Sequence, residues 1–486
     1  MSSTKRNYAY QIFYQILISI LPFITSPYIS RVLGADSIGV YSYTYSVITY
    51  FKIFAALGIA NYGNRAIAKA KNNKDELNKT FSSLFALHSL LSLLVIAVYL
   101  VYWKVFVSEY KIIALIQCFY LLGELCDINW FYFGMEKFKL TVTRNSILKI
   151  VTVIAIFIFV QDRNDLWKYV FIMALGTFLS TSVVLLLAPR YVKFVKFSLQ
   201  DMLRHVKPML VLFFAVIAIS IFSYMDKIMI ASLSNYSELG YYENAWKMIE
   251  FPVGFITALG TVMLPKITNL LTQGDNDRAE HYIYESMRFS LFAGIAIAFG
   301  IAGISKEFSV VFWGEGFEVS GTLMAVLSVT IVIMSFNSVI RSQYLIPRER
   351  DKIYLAAVWV GAVVNFIVNY LLIPQYGSLG AAIGTILAYM AIFLVQTVSV
   401  SKKLPIVAYF IPNIPYAIFG VVMFVVVRII GNAMGYSVLT IAVEVVSGVA
   451  VFVGLSLGYA VLFKDTFILN KINDLVGMIK RSVRRG

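Results

Sequence analysis

Apolar residues in this chain come in long unbroken runs, not in alternating or narrow-stripe patterns. Fourteen such runs lie near 10–33, 38–60, 82–103, 111–133, 142–160, 168–188, 208–231, 241–264, 287–305, 321–344, 354–373, 379–400, 409–430 and 437–463. About 20 apolar residues suffice for a helix to cross the hydrocarbon core of a bilayer. The pattern therefore predicts an all-α integral membrane protein of about fourteen transmembrane helices. Runs 1, 7 and 8 are the most polar of the set. The segments between runs are short and polar, and no extramembrane domain is expected.

Composition agrees with the pattern. The 486 residues are 59% hydrophobic and 14% charged, whereas soluble domains carry about 25% charge. The net charge of +15 would suggest nucleic acid in a soluble protein. Here the basic residues fall on alternate loops, such as Arg65, Lys69, Lys71, Lys74 and Lys79, then Lys137 and Lys139, then Arg348, Arg350 and Lys352. Cytoplasmic loops of membrane proteins are enriched in this way. The alternation predicts both termini in the cytoplasm and excludes nucleic-acid binding. Lys5 and Arg6 precede a run too long for a signal peptide, which predicts an uncleaved first helix. The two cysteines, Cys118 and Cys126, share one apolar run and offer no disulfide framework. The three histidines are scattered, so neither a metal site nor a cofactor is expected. The end of the chain places Ile468, Ile472, Leu475, Val476 and Ile479 on one helical face before Lys480, Arg481, Arg484 and Arg485. That tail, 464–486, reads as a basic amphipathic segment on an anionic lipid surface.

The chain repeats itself weakly. "GVYSYTYSVITYFKIFAALG" from Gly39 matches "GYYENAWKMIEFPVGFITALG" from Gly240, with Gly39, Tyr41, Ile48 and Phe54 falling on Gly240, Tyr242, Ile249 and Phe255. "GMEKFK" and "PRERDK" form a second pair of charged turns. Six spans separate the partners, and six is even, so both halves insert in the same direction. The expectation is a parallel repeat of two six-helix bundles, 1–200 and 201–400, followed by two additional helices within 401–463. Such repeats place a binding site between the halves near mid-membrane.

Polar residues inside spans are costly and normally face a cavity or a partner. The first run carries Asn7, Gln11, Gln15, Ser19, Pro22 and Ser26 on one arc of a helix. Pro22 and Pro27 are expected to break or hinge that helix, and Arg31 to end it, either snorkelling to the interface or facing a lumen. Lys52 lies deep in the second run, where it faces a central cavity or a buried ion pair, and Tyr45 shares its broad face. Lys227 and Asp226 lie in the seventh run. Glu243, Lys247 and Glu250 line a stripe of the eighth, Glu243 and Lys247 at ion-pair spacing. Glu250 reads as the deeper, buried carboxylate. Glu250, Asp226 and Asp127 are ion-coupling candidates by charge and depth, each with a plain structural hydrogen bond as the alternative. Arg428 and Glu444 both lie toward the outer ends of their runs and can pair. The Gly380–Gly384 and Gly454–Gly458 spacings suit helix packing.

No nucleophile–base pair, metal cluster or phosphate-cradling glycine loop is visible, so transport and not enzymatic catalysis is the expected activity. Four segments sharpen this. "LPFITSPYISRVLGADSIGVYSY", "DINWFYFGMEKFKLTVTRNSILKI", "YMDKIMIASLSNYSELGYYENAWKM" and "NYLLIPQYGSLGAAIGTILAY", in that order, resemble the bacterial polysaccharide flippase family. That family belongs to the superfamily of multidrug, oligosaccharidyl-lipid and polysaccharide exporters. The resemblance covers about residues 7 to 400. It implies movement of an undecaprenyl-pyrophosphate-linked oligosaccharide from the cytoplasmic to the outer leaflet of the bacterial inner membrane. Alternating access driven by an ion gradient is implied, with a polysaccharide polymerase complex as a further partner. Lys52, Arg31 and Lys227 suit a pyrophosphate by charge, with Gln11, Gln15 and Tyr45 beside the sugars. The alternatives are a drug or cation antiporter of the same fold, a transporter of peptidoglycan precursor, and a non-transporting partner in polysaccharide assembly.

Overall fold

In lipid the backbone must satisfy its own hydrogen bonds, and a run of apolar residues does so as a helix. The computed structural model describes the backbone of residues 3–465, Phe467 and Leu469, and side chains from residue 20 onward except at 215. The side chains of Gln11 and Gln15 and nearly all of the 464–486 tail lie outside the described residues. The long helices are α1 (Ser3–Ala56), α2 (Ile59–Ala70), α3 (Lys74–Phe106), α4 (Lys111–Leu125), the single turn and a half of α5 (Asn129–Gly134), α6 (Phe138–Phe159) and α7 (Leu166–Leu187). After the short α8 (Leu199–Leu203) come α9 (Val206–Leu233), α10 (Tyr236–Thr272), α11 (Asn276–Trp313), α12 (Glu318–Leu327) and α13 (Val329–Val339). Then follow α14 (Asp351–Val400), the short α15 (Ile406–Phe410), α16 (Ile414–Met434) and α17 (Val438–Phe463). No strand occurs among the described residues. Counting helices that run on through a short break as one, twelve among the described residues are long and apolar enough to cross a membrane.

Two helices are too long for one crossing. At about 1.5 Å per residue, α1 and α14 would each reach roughly 75–80 Å, against a hydrocarbon core of about 30 Å. Each bends at one glycine with non-helical backbone: Gly34 (φ 77°, ψ 173°) and Gly377 (φ 54°, ψ −133°). Both φ values lie where only glycine is unstrained. The expected break at Pro22 and Pro27 is not where the helix divides. Both prolines sit inside continuous α1, and the division comes at Gly34. Arg31 correspondingly does not end the helix but precedes that bend by three residues.

Contacts divide the chain into two compact units, 1–244 with 365–381, and 245–364 with 382–486. The first is built around Phe81, Leu84, Trp130, Phe131, Tyr132 and Met209, with a second layer of Ile48, Tyr99, Tyr120 and Leu121. The other packs around Met287, Leu291, Phe336 and Tyr344, and around Tyr416, Met423, Val427 and Phe452. Outward, α3 exposes Leu90, Leu94, Val98, Val101 and Val105 in one continuous stripe. An apolar surface of that length faces lipid, not water. The protein is a multi-pass membrane protein.

Two features lock the first unit. His205, just before α9, is buried between the Tyr62 hydroxyl (2.8 Å from Nδ1) and the Ser83 hydroxyl (3.1 Å from Nε2). Burial, and secondarily Arg204, pushes its pKa down to about 4, so it stays a neutral peg between α2 and α3. The second feature is a backbone-to-backbone crossing of α1 and the start of α10. A methyl group on Gly39 would overlap the Tyr236 carbonyl, and one on Gly240 would overlap the Ala35 carbonyl. Adding 201 to 39 gives 240, and adding 201 to 35 gives 236. The two contacts are thus exchanged by the offset that aligns the repeat, the signature of a two-fold crossing.

Candidate functional site

The second arm of α1 runs from Gly34 and carries Tyr41, Tyr45 and Lys52 in that order. Its polar hydroxyls are tied inward: Thr44, Ser46 and Thr49 donate to the carbonyls one turn back. Gln117 of α4, fully buried, donates to Thr44 Oγ1 at 2.9 Å. These bonds hold the tyrosines against α4 and α7. Tyr41 stacks on Tyr45 at 5.7 Å and meets Tyr169 edge-on at 5.0 Å. Tyr45 meets Tyr120 at 5.1 Å, and the Tyr41 and Tyr120 hydroxyls are 3.2 Å apart. The result is a four-ring wall with its hydroxyls clustered.

Lys52 closes this wall. Its ammonium lies 3.8 Å from Glu124 and 5.8 Å from the centre of the Tyr120 ring. Its side chain keeps 24% exposure and that of Glu124 keeps 14%. His88 Nε2 bonds the Glu124 carbonyl at 2.7 Å and fixes this turn of α4. Asp127 is half-buried in the break after α4. Its carboxylate accepts the Asn129 amide at 2.7 Å just ahead of α5, so its first duty is to shape the turn between the two helices.

A second pair lies on α9 and α10. Lys227 meets Glu243 at 2.7 Å, with exposures of 15% and 14%. Ser42 of α1 donates to the same carboxylate at 2.9 Å, and the Tyr224 ring lies 5.6 Å from the Lys227 ammonium. Ser42 and Glu243 are again related by the offset of 201. The residue before Lys227, Asp226, is buried and accepts Asn369 Nδ2 at 2.6 Å and Tyr242 Oη at 3.0 Å. Asn369 also donates to Asn365 at 3.2 Å, while Asn369 Oδ1 and Asn365 Nδ2 are buried without a partner. Asp226 therefore sits in a compact polar nest inside an apolar bundle.

The other sequence candidates fall elsewhere. Lys52 stands 18 residues past the Gly34 bend, roughly 27 Å along the arm, whereas Arg31 lies at the bend and is exposed. Arg31 is therefore not part of the Lys52 cluster. Glu250 is exposed on α10 and not buried as its depth in the run implied. Arg428 pairs with Glu307 of α11 and not with Glu444. The partners Tyr120, Tyr169, Ser42, Asn365 and Asn369 were not singled out from the sequence. The four-residue spacing of Asn365 and Asn369 in an apolar run was the one signal present. No group of three metal-ligating His, Cys, Asp or Glu occurs among the described residues.

The arrangement offers two cations, each beside a half-buried carboxylate, and an aromatic wall. A dense anion can displace the carboxylates, and the rings can stack on sugars. Long apolar helices enclosing such groups define a membrane carrier. The chain belongs to the polysaccharide biosynthesis protein family, whose pattern matches residues 4–271, a range that holds three of the four motifs and bears out the family resemblance. A Shigella dysenteriae protein named "Putative O-antigen transporter" is 24% identical over 379 residues, 77% of this chain and 94% of its own. The solved structure of lipid II flippase MurJ in an inward closed conformation superposes with a TM-score of 0.77 at 16% identity, covering 94% of this chain and 99% of that one. An inward-facing MATE-family multidrug transporter of the MOP superfamily superposes at 0.60 with 14% identity, covering 86% and 95%. The chain thus has the fold of these transporters, and its relatives and neighbours are carriers and not enzymes.

Proposed function

We propose that this protein flips an undecaprenyl-pyrophosphate-linked oligosaccharide from the cytoplasmic to the outer leaflet of the bacterial inner membrane, supplying surface polysaccharide assembly. The observation that carries it is Lys52 against the tyrosine wall, with Lys227 over the Tyr224 ring as a second cation. Each lysine rests on a carboxylate, Glu124 or Glu243. A pyrophosphate offers more negative charge at closer spacing and takes over the lysines. The half-buried rings of Tyr41 and Tyr45 then flank the sugars, with buried Tyr120 behind them.

Counting α1 and α14 as two crossings each, at Gly34 and Gly377, makes fourteen spans with both termini cytoplasmic. The Gly39–Gly240 crossing supports a parallel repeat of 1–200 and 201–400, the halves rocking about the site. The Asp226 nest, with its two unpartnered amide atoms, supports ion coupling there. Exposed Glu250 and the turn-forming Asp127 have weaker claims to that role. A polymerase complex is the natural recipient of the product.

A second reading, cation export, draws on the carboxylates Glu124, Asp226 and Glu243 and on the MATE-like fold. Lys52 and Lys227 oppose it, since each would repel a cationic cargo.

The test is a deletion strain whose undecaprenyl-linked repeat units are assigned to one leaflet. Complete units should collect on the cytoplasmic side and clear when the protein is restored. Lys52→Ala should fold but fail to clear them, and Lys52→Arg should clear them in part. Normal surface polysaccharide in Lys52→Ala at matched protein level overturns the assignment of the site. Unchanged lipid-linked sugars in the deletion favour cation export.

A further inference from the structure

A second charged cluster lies in the unit of 245–364 and 382–486, apart in sequence from the lysines above. Glu307 stands six residues before the end of α11 at Trp313, Arg428 six before the end of α16 at Met434, and Glu444 six after the start of α17 at Val438. At about 1.5 Å per residue, each lies roughly 9 Å in from its helix end. Arg428 grips Glu307 with both terminal nitrogens, one of them 3.2 Å from Oε1. It also donates to the Gly303 carbonyl at 3.0 Å and to Asn432 Oδ1 at 3.1 Å. The guanidinium is thereby spent on Glu307 and its surroundings.

Glu444 is left over. It is 0% exposed, and neither of its carboxylate oxygens has a hydrogen-bond partner. Glu307 is 2% exposed. Gly431 separates them: a methyl group there would overlap Glu444 Oε1 and stand 2.8 Å from Glu307 Oε1. The missing side chain lets the two carboxylates face each other. α17 packs on α11 and α16. The charged groups those helices turn toward Glu444, among the described residues, are Glu307 and Arg428. Lys306, next to Glu307, points outward and is exposed. Two carboxylates against one guanidinium leave a net charge of −1 in a dry interior. A membrane protein does not retain such a charge uncompensated.

We propose that Glu307 and Glu444 form a site for one monovalent cation, a proton or Na⁺, held between the two carboxylates beside Gly431. One positive charge balances the cluster. A divalent ion would overshoot it and finds too few ligands. A proton forms an O–H···O bond between the carboxyls, and Na⁺ would bridge their oxygens. Either way the occupant fastens α17 to α11. The site uses none of the residues assigned to cargo and does not depend on the transport reading.

The test uses the purified full chain in lipid nanodiscs, with Glu444→Gln as the variant. The amide keeps the shape, is neutral and donates to Glu307, so it replaces the cation. Melting is followed against pH, and against Na⁺ at constant ionic strength with choline as the balancing ion. Infrared spectra are recorded in parallel. For a proton, the wild type shows a protonated carboxyl C=O band that shifts in D₂O and is absent from Glu444→Gln. For Na⁺, wild-type melting rises by several degrees with Na⁺ at fixed pH, and Glu444→Gln stays flat. Wild-type protein with neither the band nor a Na⁺ response overturns the site whether or not the variant folds. Equal responses in wild type and Glu444→Gln overturn it as well.

Discussion

Two charged clusters, one in each unit, handle buried charge in opposite ways. Lys52–Glu124 and Lys227–Glu243 are one-to-one pairs whose members keep 14–24% exposure. Glu307, Arg428 and Glu444 are two acids to one base, with the acids at 2% and 0%. A half-wet balanced pair can open, because water solvates each partner as it leaves. An unbalanced cluster with sealed acids cannot, because Arg428, itself 19% exposed, would on leaving strand two carboxylates in low dielectric. The first arrangement suits exchange with a travelling anion. The second suits a fixed fastening of helices.

The largest expected effect therefore comes from the dry cluster. Arg428→Met strands both carboxylates and should destabilise the protein by about 3–5 kcal/mol, seen as a collapse of yield and melting temperature in membranes. Wild-type melting in that variant would mean that the carboxylates are solvated by a route the burial does not reveal. The half-wet pair should respond asymmetrically. Lys227→Ala should lower transport about tenfold or more, since a charge-assisted hydrogen bond contributes about 1.5–3 kcal/mol. Glu243→Gln frees the lysine and should keep most of the activity. Polymer made per copy of protein separates the two, and equal losses would return the pair to a structural role. The smallest effect belongs to the surface. Lys71–Glu136 is short, 2.6 Å, but its members are 32% and 61% exposed. Lys71→Ala should change stability by less than about 1 kcal/mol, and a melting shift of many degrees would contradict that ranking.

Residue type predicted some of the site and misled elsewhere. Lys52 was conspicuous because a lysine in mid-span needs a reason, and it has Glu124 and Tyr120. Asn365 and Asn369 were inconspicuous because amides carry no charge, yet they build the nest around Asp226. Proline drew attention to positions 22 and 27, but a helix in lipid tolerates proline where neighbours cover the freed carbonyls. The real division at Gly34 needed a positive φ, which glycine alone supplies without strain. Arg428 and Glu444 were paired on depth along their spans. Packing turned Arg428 instead toward Glu307, on a helix more than a hundred residues earlier.

The sequence alone was enough to show that the chain is a bundle of membrane helices, roughly where its apolar segments run and which family it belongs to. Lipid leaves the backbone no other way to satisfy its hydrogen bonds, so composition along the chain is sufficient. Only the tertiary structure decided which charges meet, which stay half-wet and which are sealed. Those outcomes depend on helix rotation and contact between segments far apart in sequence, and a one-dimensional pattern carries neither.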